Sequence, residues 1–553
     1  MVWRNRKAAC RYVSECSLFP VKRVKITDKR IGLAISGGVD SMALATLCSR
    51  LRESSLHRKA LFFTAFIVDH GLRDGSRDEA TKVAGFLDQL SMPSKILTLD
   101  QAQYGDARAS RRVESIARRL RYRAMGQACR AQGITELLFA HHADDQAETT
   151  LMRLANNYLG KGLAGMQAEA RIPECEDMYG VHESGSPRVL RRENLAIADG
   201  VRGAGMVVES GGITILRPLL SYTKDRLVAT CKQAGTMWVE DETNADPSLT
   251  LRNTVRQLHE RNLLPKALQR PNLCAIAART SERAAQQEER AHEIFRNLDI
   301  IIDPSSGHAI CKISHRTARE IHEAPDVNHM KAIILRKLLL LVVPTSNVDL
   351  STLEAASAAF LESQTHKSHS TPIVLAGAAA VRLKDTKESL VYELRRTLPP
   401  KRAKETRAEV SISLKSQSST NEVSWSDWTL WDERYWIRIG ANTRKHPEVL
   451  DAVVRMLTPD DVAVLRRDPH TAKTDLHTRL ASVMGHLRTT LPVIVSGSAS
   501  AQERCIVALP SFGWSRDGWA SRDETEKGVQ DAKYFYDIRY KCIDDLLTRP
   551  MGS

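Results

Sequence analysis

The sequence predicts an α/β fold: a parallel sheet flanked by helices, followed by a helical middle region and a small mixed C-terminal domain. Three observations predict it. Short apolar runs alternate with longer amphipathic stretches from Ile31 onward, the pattern of strands buried on both faces beneath helices. The first run passes through Gly37-Gly38 straight into a helical stretch, a strand–turn–helix junction. From Leu258 to about Ala356 helical periodicity dominates, and beyond it β-like runs and tryptophans take over.

In order, Ile31–Ile35 reads as the first strand, with a helix from Ser41. Leu61–Val68 is a second strand, rich in Phe, Val and Ile, and Lys95–Leu99 a weaker third. A long basic helix is expected over Asp106–Ala131, then a strand at Leu137–Ala140 and a helix through Leu154. Periodicity breaks over 167–212, rich in Gly, Glu and Arg, which reads as an insertion or long loop. Ile213–Leu220 resumes order, a helix follows at Lys224–Ala234, and Glu240–Arg256 is polar. The resulting domain expectation is a basic leader at 1–30, a catalytic domain at 31–222 and a mostly helical region at 223–398 that contacts the polyanionic partner. A Lys-, Ser- and Thr-rich linker at 399–421 and a mixed domain at 422–553 complete it.

Lys plus Arg number 80 against 66 Asp plus Glu, a formal charge of +14, which favours a polyanionic partner. Charge alone does not choose between nucleic acid, an anionic membrane surface and solubility. Aromatics are 5%, so base stacking is not advertised as the main grip. Ten scattered cysteines form no C-x-x-C pair, which speaks against a disulfide framework, a zinc ribbon or a thiolate-held iron–sulfur cluster. No apolar run reaches membrane-spanning length. Residues 1–30 hold nine Lys or Arg against Glu15 and Asp28, a composition expected of organelle import, here mitochondrial, with a cytoplasmic location as the alternative.

Ser36-Gly37-Gly38-Val39-Asp40-Ser41 lies between the first strand and its helix. Glycines allow a tight turn and close ligand approach, and the helix start presents unpaired N–H groups to an anion. Ser36 and Ser41 add hydroxyls, while the Gly-Lys-Ser/Thr of the Walker loop is absent. Asp69 and His70 end the second strand, at the same carboxyl edge where open parallel sheets bind ligands. His141-His142-Ala143-Asp144-Asp145-Gln146-Ala147-Glu148-Thr149 ends the fourth strand. On a helix Asp145 and Glu148 share a face, as do His141 and Asp145, so the carboxylates could hold magnesium or take a proton from an amine. A capped, solvated helix start would look similar. Adjacent histidines do not fit the zinc spacing. Glu114–Tyr122 is a basic stretch carrying Arg118 and Arg121.

The six-residue loop is similar to the SGGxDS loop of the PP-loop ATP pyrophosphatases, whose fold is adenine-nucleotide alpha-hydrolase-like. The ordered series resembles the tRNA(Ile)-lysidine synthetase family. It runs SGGVDS, VDHGLR, ESIARRLRY, HHADDQAETTLMRL, LAGM at Leu163–Met166, ILRPLL at Ile215–Leu220 and WVEDETNADPSLTLRNTVR at Trp238–Arg256. The resemblance covers about Ile31 to Arg261. It implies ATP and Mg2+ as cofactors, and isoleucine tRNA with a CAU anticodon plus free L-lysine as substrates. ATP would adenylate C2 of the wobble cytidine, and the lysine ε-amine would displace AMP to give lysidine. It implies nucleotide contacts from Ser36, Gly37, Gly38, Asp40, Ser41, Asp69 and His70, with Asp40 also on the metal. His141, Asp145 and Glu148 would line the lysine and adenylate site, with Asp145 activating the amine. Arg118 or Arg121, and Arg217, would meet phosphate or the base. Asn157–Gly162 departs from the family's Gly-Ser-Gly-like turn, and the 167–212 insertion is long; with the basic leader, these imply a eukaryotic organelle-type member. The rivals are a sulfur-transferring PP-loop tRNA enzyme, a small-molecule ligase of the same fold, and a non-catalytic tRNA-binding descendant.

Overall fold

The structure is a computed structural model. It describes residues 29–550 except 54–60, 73–74, 101, 103, 105–112, 159, 196–205, 241–250, 344–347, 363–371, 399–408, 415–422, 443–449, 473, 484, 497–504 and 523–531. Most of the expected basic leader therefore lies outside the described residues. Its last two residues, Lys29 and Arg30, open the first strand instead, and Lys29 pairs with Glu136.

The chain forms two compact units. The first takes in residues up to Glu176, Gly180–His182 and Gly211–Gln286; the second takes in Asp177–Tyr179, Glu183–Ser210 and residues from Gln287 onward. The first unit alternates strand and helix: β1 (Lys29–Ile35), α1 (Val39–Glu53), β2 (Leu61–Asp69), α2 (Ser76–Gln89), β3 (Ser94–Thr98), α3 (Val113–Ala131), β4 (Glu136–Leu138) and α4 (Ala143–Ala155). The expected insertion carries strands rather than a bare loop: β5 (Glu169–Arg171), β6 (His182–Gly185), β7 (Arg188–Leu190) and β8 (Gly211–Gly212). Then come β9 (Thr214–Leu216), α5 (Lys224–Ala234), α6 (Leu251–Glu260) and α7 (Arg270–Arg296), within which the two units divide.

The sheet order is β3-β2-β1-β4-β9-β5, parallel throughout except for β5. Strand order reverses between β1 and β4, which opens a crevice at their carboxyl ends. Ile31, Leu33 and Ile35 of β1 are buried against α1, which is itself buried at nearly every position. The reason is α5: Leu227 and Cys231 join the same core, and Thr46 Oγ1 meets Thr236 Oγ1 at 2.8 Å. The structure thus carries the first unit past the boundary expected at residue 222.

In the second unit a five-stranded antiparallel sheet runs β10 (Asp299–Asp303), β11 (His308–Ser314), β14 (Ser389–Arg396), β13 (Ala378–Asp385), β12 (Ile373–Leu375). Helices α8 (His315–His322), α9 (Val327–Leu340) and α10 (Leu350–Ala356) contribute Ile321, Leu335, Leu338 and Leu353 to its core. The region expected to be mostly helical is therefore substantially sheet. Ile300-Ile301-Ile302 is a β-branched run that pairs readily once β11 lies beside it. Within the expected linker, Val410–Leu414 is a strand paired with Leu450–Met456; the rest of that linker falls outside the described residues apart from Glu409. Residues 183–210 of the insertion join this unit too, while β5 stays in the first sheet. β7 pairs with Thr548–Pro550, and Leu190 and Val208 are buried in the second core. No helix among the described residues is long and apolar enough to cross a membrane.

Candidate active site

The Gly37-Gly38 loop leaves β1 at Ser36 and enters α1 at Val39. Gly37 has φ +88°, and a Cβ there would lie 2.4 Å from Val83 Cγ2, so the position requires glycine on both counts. Ser41 builds the turn from inside. Its Oγ accepts the N–H of Gly37 (3.1 Å) and of Ser36 (3.3 Å) and donates to the Gly38 carbonyl (2.9 Å). Val239, in the WVEDET segment, donates its N–H to the Gly37 carbonyl at 2.9 Å. The loop is thus braced before any ligand arrives, while Ser36 stays exposed at its rim. Asp40 sits in the first turn of α1, and its Oδ1 is buried with no hydrogen-bond partner among the described residues.

β4 ends beside β1, and four residues later α4 begins with an N-cap that sequence reasoning missed: His142. Its Nδ1 accepts the N–H of Asp144 (3.2 Å) and Asp145 (3.4 Å), while Asp145 Oδ2 accepts the His142 N–H (3.1 Å), a reciprocal capping box. The ring proton therefore sits on Nε2, which lies 3.4 Å from Asp40 Oδ2 and 3.4 Å from Asp145 Oδ2. Burial resists charge on this ring, but the Asp40 hydrogen bond and the nearby carboxylates outweigh it and raise its proton affinity. A second proton would have to displace the two amide bonds at Nδ1.

Asp145 is held as carboxylate. Burial works against its charge, yet His142, His141, Arg252 and the backbone N–H together pull its pKa below the usual value. Glu148, one turn on, is almost wholly buried and doubly paired: Arg256 grips both oxygens (2.9 and 3.2 Å) and Arg252 Nε donates to Oε2 (3.0 Å). Arg252 also lies 3.7 Å from Asp145 Oδ1. The structure thus directs Glu148 to the arginines of α6. Asp144 turns the other way, accepting the Lys224 N–H at 2.8 Å and so capping α5.

The LAGM turn is tied to α4 by side chains of the same motif. Gln146 donates to the Met166 carbonyl (3.1 Å) and accepts its N–H (2.7 Å), and Arg153 donates to the carbonyls of Gly162 (3.0 Å) and Gly165 (2.8 Å). Arg217, just past β9, donates from Nε to His141 Nδ1 at 3.2 Å. Burial, offset in part by Asp145, pushes the His141 pKa down to about 4, so this ring is neutral near pH 7 and acts as an acceptor for Arg217. His141 stacks on Phe139 (5.6 Å), Phe139 meets Tyr122 at a tilt (5.7 Å, 33°), and the Arg118 guanidinium covers Tyr122 at 4.8 Å. Arg121 is half-buried beside the same ring, with Nε lacking a hydrogen-bond partner among the described residues.

Asp69 and His70 stand at the same edge, but Asp69 is occupied with the backbone. Its Oδ1 accepts from Gly71 N–H (3.1 Å) and Ser76 Oγ (2.6 Å), fixing the entry to α2. The His70 carbonyl accepts from Tyr104 Oη at 3.3 Å. No group of three or more His, Cys, Asp or Glu among the described residues could enclose a metal. A magnesium ion that arrives on ATP phosphates needs only one or two carboxylates, and the bare Asp40 Oδ1 fits that use, whereas the doubly paired Glu148 does not. The edge thus combines an anion cradle, one available carboxylate oxygen, a capped acidic helix start and several arginines. That arrangement can hold a polyphosphate and stabilise the charge of its departure.

Comparison with known proteins agrees with this geometry. A profile described as the PP-loop domain matches residues 15–178 and 188–263. A probable tRNA(Ile)-lysidine synthase of Schizosaccharomyces pombe is 26% identical over 507 residues, covering 90% of this chain and 94% of that protein. The tRNA(Ile)-lysidine synthase of Rhodopseudomonas palustris is 31% identical over 49% of this chain and 65% of its own length. That of Bradyrhizobium diazoefficiens is 34% identical over 39% of this chain and 48% of its own.

Proposed function

We propose that the chain is a PP-loop enzyme, like its relatives named tRNA(Ile)-lysidine synthase, and that it makes lysidine in an isoleucine tRNA with a CAU anticodon. The carrying observation is the convergence on one sheet edge of the braced Ser36–Ser41 loop, the His142-capped acidic start of α4 and the Arg217–His141 pair.

In this reading ATP lies across the loop, its phosphates on the N–H groups of α1. Magnesium, when bound with ATP, supplies charge for the departing pyrophosphate, and Asp40 Oδ1 is the oxygen that would hold it. The cytidine C2 oxygen attacks the α-phosphate; Arg217 and Arg121 are placed to neutralise the oxygens that gain charge. Free L-lysine then binds with its ε-ammonium toward Asp145. With its pKa held low, Asp145 serves better to orient the ammonium and receive its proton transiently than as a strong base. Attack of the amine on C2 expels AMP. The neutral His141 keeps Arg217 aimed.

Three buried thiols give the sulfur-transfer alternative no support: burial pushes Cys129 and Cys231 up to about 12, and Cys48 higher still, far from a reactive thiolate. Import into the mitochondrion rests on the basic leader alone, and a fluorescent fusion of the full chain, imaged against a mitochondrial dye, tests it.

The deciding experiment is ATP-dependent incorporation of labelled lysine into unmodified CAU isoleucine tRNA, beside Asp145→Asn. Label in that tRNA, absent from methionine tRNA and reduced at least a hundredfold in the variant, is expected, about the scale of removing one positioned charge. Pyrophosphate release without label would retain the adenylation and reject lysine.

A further inference from the structure

We infer that His142 is a positioning residue that fixes the ATP loop against the amine-side carboxylate, through one ring nitrogen that lies against both Asp40 and Asp145. The inference deepens the reading above and rests on it.

Helix capping alone does not call for histidine at this position. Asparagine, serine or aspartate caps at least as well and is shorter. What the imidazole adds is a second, opposed nitrogen. With Nδ1 committed to the amides of Asp144 and Asp145, the ring cannot turn without uncapping α4, and Nε2–H is pinned toward the carboxylates. Its two carboxylate neighbours come from different motifs: Asp40 from the start of α1, after β1, and Asp145 from the start of α4, after β4. Nε2 lies 3.4 Å from an oxygen of each, close enough to hold both carboxylates by charge, with Asp40 as its hydrogen-bond partner. The ring is 3% exposed, which keeps water from substituting for it.

The consequence concerns geometry. Asp40 lies against the ring by Oδ2, which leaves Oδ1 without a hydrogen-bond partner among the described residues; Asp145 lies against it by its own Oδ2, which leaves Oδ1 toward Arg252. Adenylation and amine attack occur in turn on the same nucleotide. A rigid spacing between the loop that holds ATP and the carboxylate that receives the amine serves both steps. Outer groups that orient reacting ones typically change activity 10–100-fold when removed.

The test compares full-length His142→Asn and His142→Ser, both cap formers too short to reach Asp40, with the wild type in the same tRNA assay. Each is expected to melt close to the wild type, while kcat for pyrophosphate release and for lysine incorporation falls together by roughly 10–100-fold. In an Asp145→Asn background, His142→Asn should lower pyrophosphate release less than it does alone, because the two share one hydrogen-bond network. A full rate in either folded variant shows that the residue only caps α4 and overturns the inference. So does strict additivity with Asp145→Asn. A wild-type chain that releases no pyrophosphate at all would instead remove the functional reading itself, and this inference with it.

Discussion

Glu148 and Asp40 are both acidic, both in the first or second turn of a helix at the same sheet edge, and they should behave oppositely on substitution. Glu148 is buried with three hydrogen bonds from Arg252 and Arg256. Glu148→Ala leaves that cationic pair uncompensated, a change that costs about 3–5 kcal/mol for buried pairs, discounted here because Arg252 is 42% exposed. Urea unfolding should read a loss of at least about 2 kcal/mol. Asp40→Asn keeps a polar oxygen beside His142 and removes charge from a side chain whose Oδ1 has no hydrogen-bond partner among the described residues, so its unfolding midpoint should move less than that of Glu148→Ala while pyrophosphate release collapses. His141 gives a pH signature. Its pKa falls from 6.5 to about 4 on folding, chiefly by burial, so between those values the unfolded chain binds the proton and the folded one does not. Stability from this group is present above about pH 6.5, declines as pH drops toward 4, and does not decline further below. His141→Gln should flatten that part of a urea-stability profile. His142, with raised proton affinity, contributes in the opposite sense and must stay in place for the comparison.

At the scale of elements, α4 organises the site. Its cap reaches the ATP loop, Asp144 caps α5, Glu148 gathers α6, and Gln146 and Arg153 hold the 163–166 turn. Gly165 sits at φ +63°, and a Cβ there would come within 2.6 Å of Gln146 Oε1. Gly165→Ala therefore strains the backbone by about 1 kcal/mol or more and pushes Gln146 off the turn. Faster proteolytic cleavage near 160–167 and weaker lysine incorporation are the expected outcomes, with ATP-side pyrophosphate release less affected. The strand–loop–helix pattern around Ser36 and the helix after His141 were legible in sequence because each signal is local: glycine backbone freedom, and polar residues ending an apolar run. Which histidine does what was not. His141 and His142 are neighbours in sequence, but one stacks on Phe139 and the other turns inward as a cap, and only the path of the chain after β4 separates them.

Across the molecule, the segment expected as a loop proves to be structural in the second unit. Glu209 is fully buried there, accepting from Arg539 (2.6 Å), Tyr179 Oη (2.8 Å) and the Gly185 N–H (2.7 Å), while Tyr179 stacks on Trp428 at 4.8 Å. Glu209→Ala is expected to destabilise this unit by up to about 3 kcal/mol, because it takes the nearest carboxylate from a largely buried Arg539 and leaves it Asp537 at 3.7 Å. Tryptophan fluorescence should report that transition, while unfolding of the ATP-side unit, followed by loss of ATP binding, keeps its midpoint. The surplus of basic residues belongs to the same scale. Binding of tRNA should weaken steeply with salt, in proportion to the phosphates neutralised.

The sequence by itself determined the parallel sheet, the glycine loop and the likeness to PP-loop proteins, because those depend on residues close in the chain and on their order. Tertiary structure alone decided that His141 accepts from Arg217, that Glu148 is taken by Arg252 and Arg256 more than a hundred residues away, and that residues 183–210 fold with the C-terminal half. It also placed Ile300–Ile302 in a sheet, where the same apolar run beside amphipathic helices had looked helical. The physical reason is common to all four. A hydrogen bond, an ion pair or a strand pairing has a partner, and a chain read from one end does not say which distant residue that partner will be.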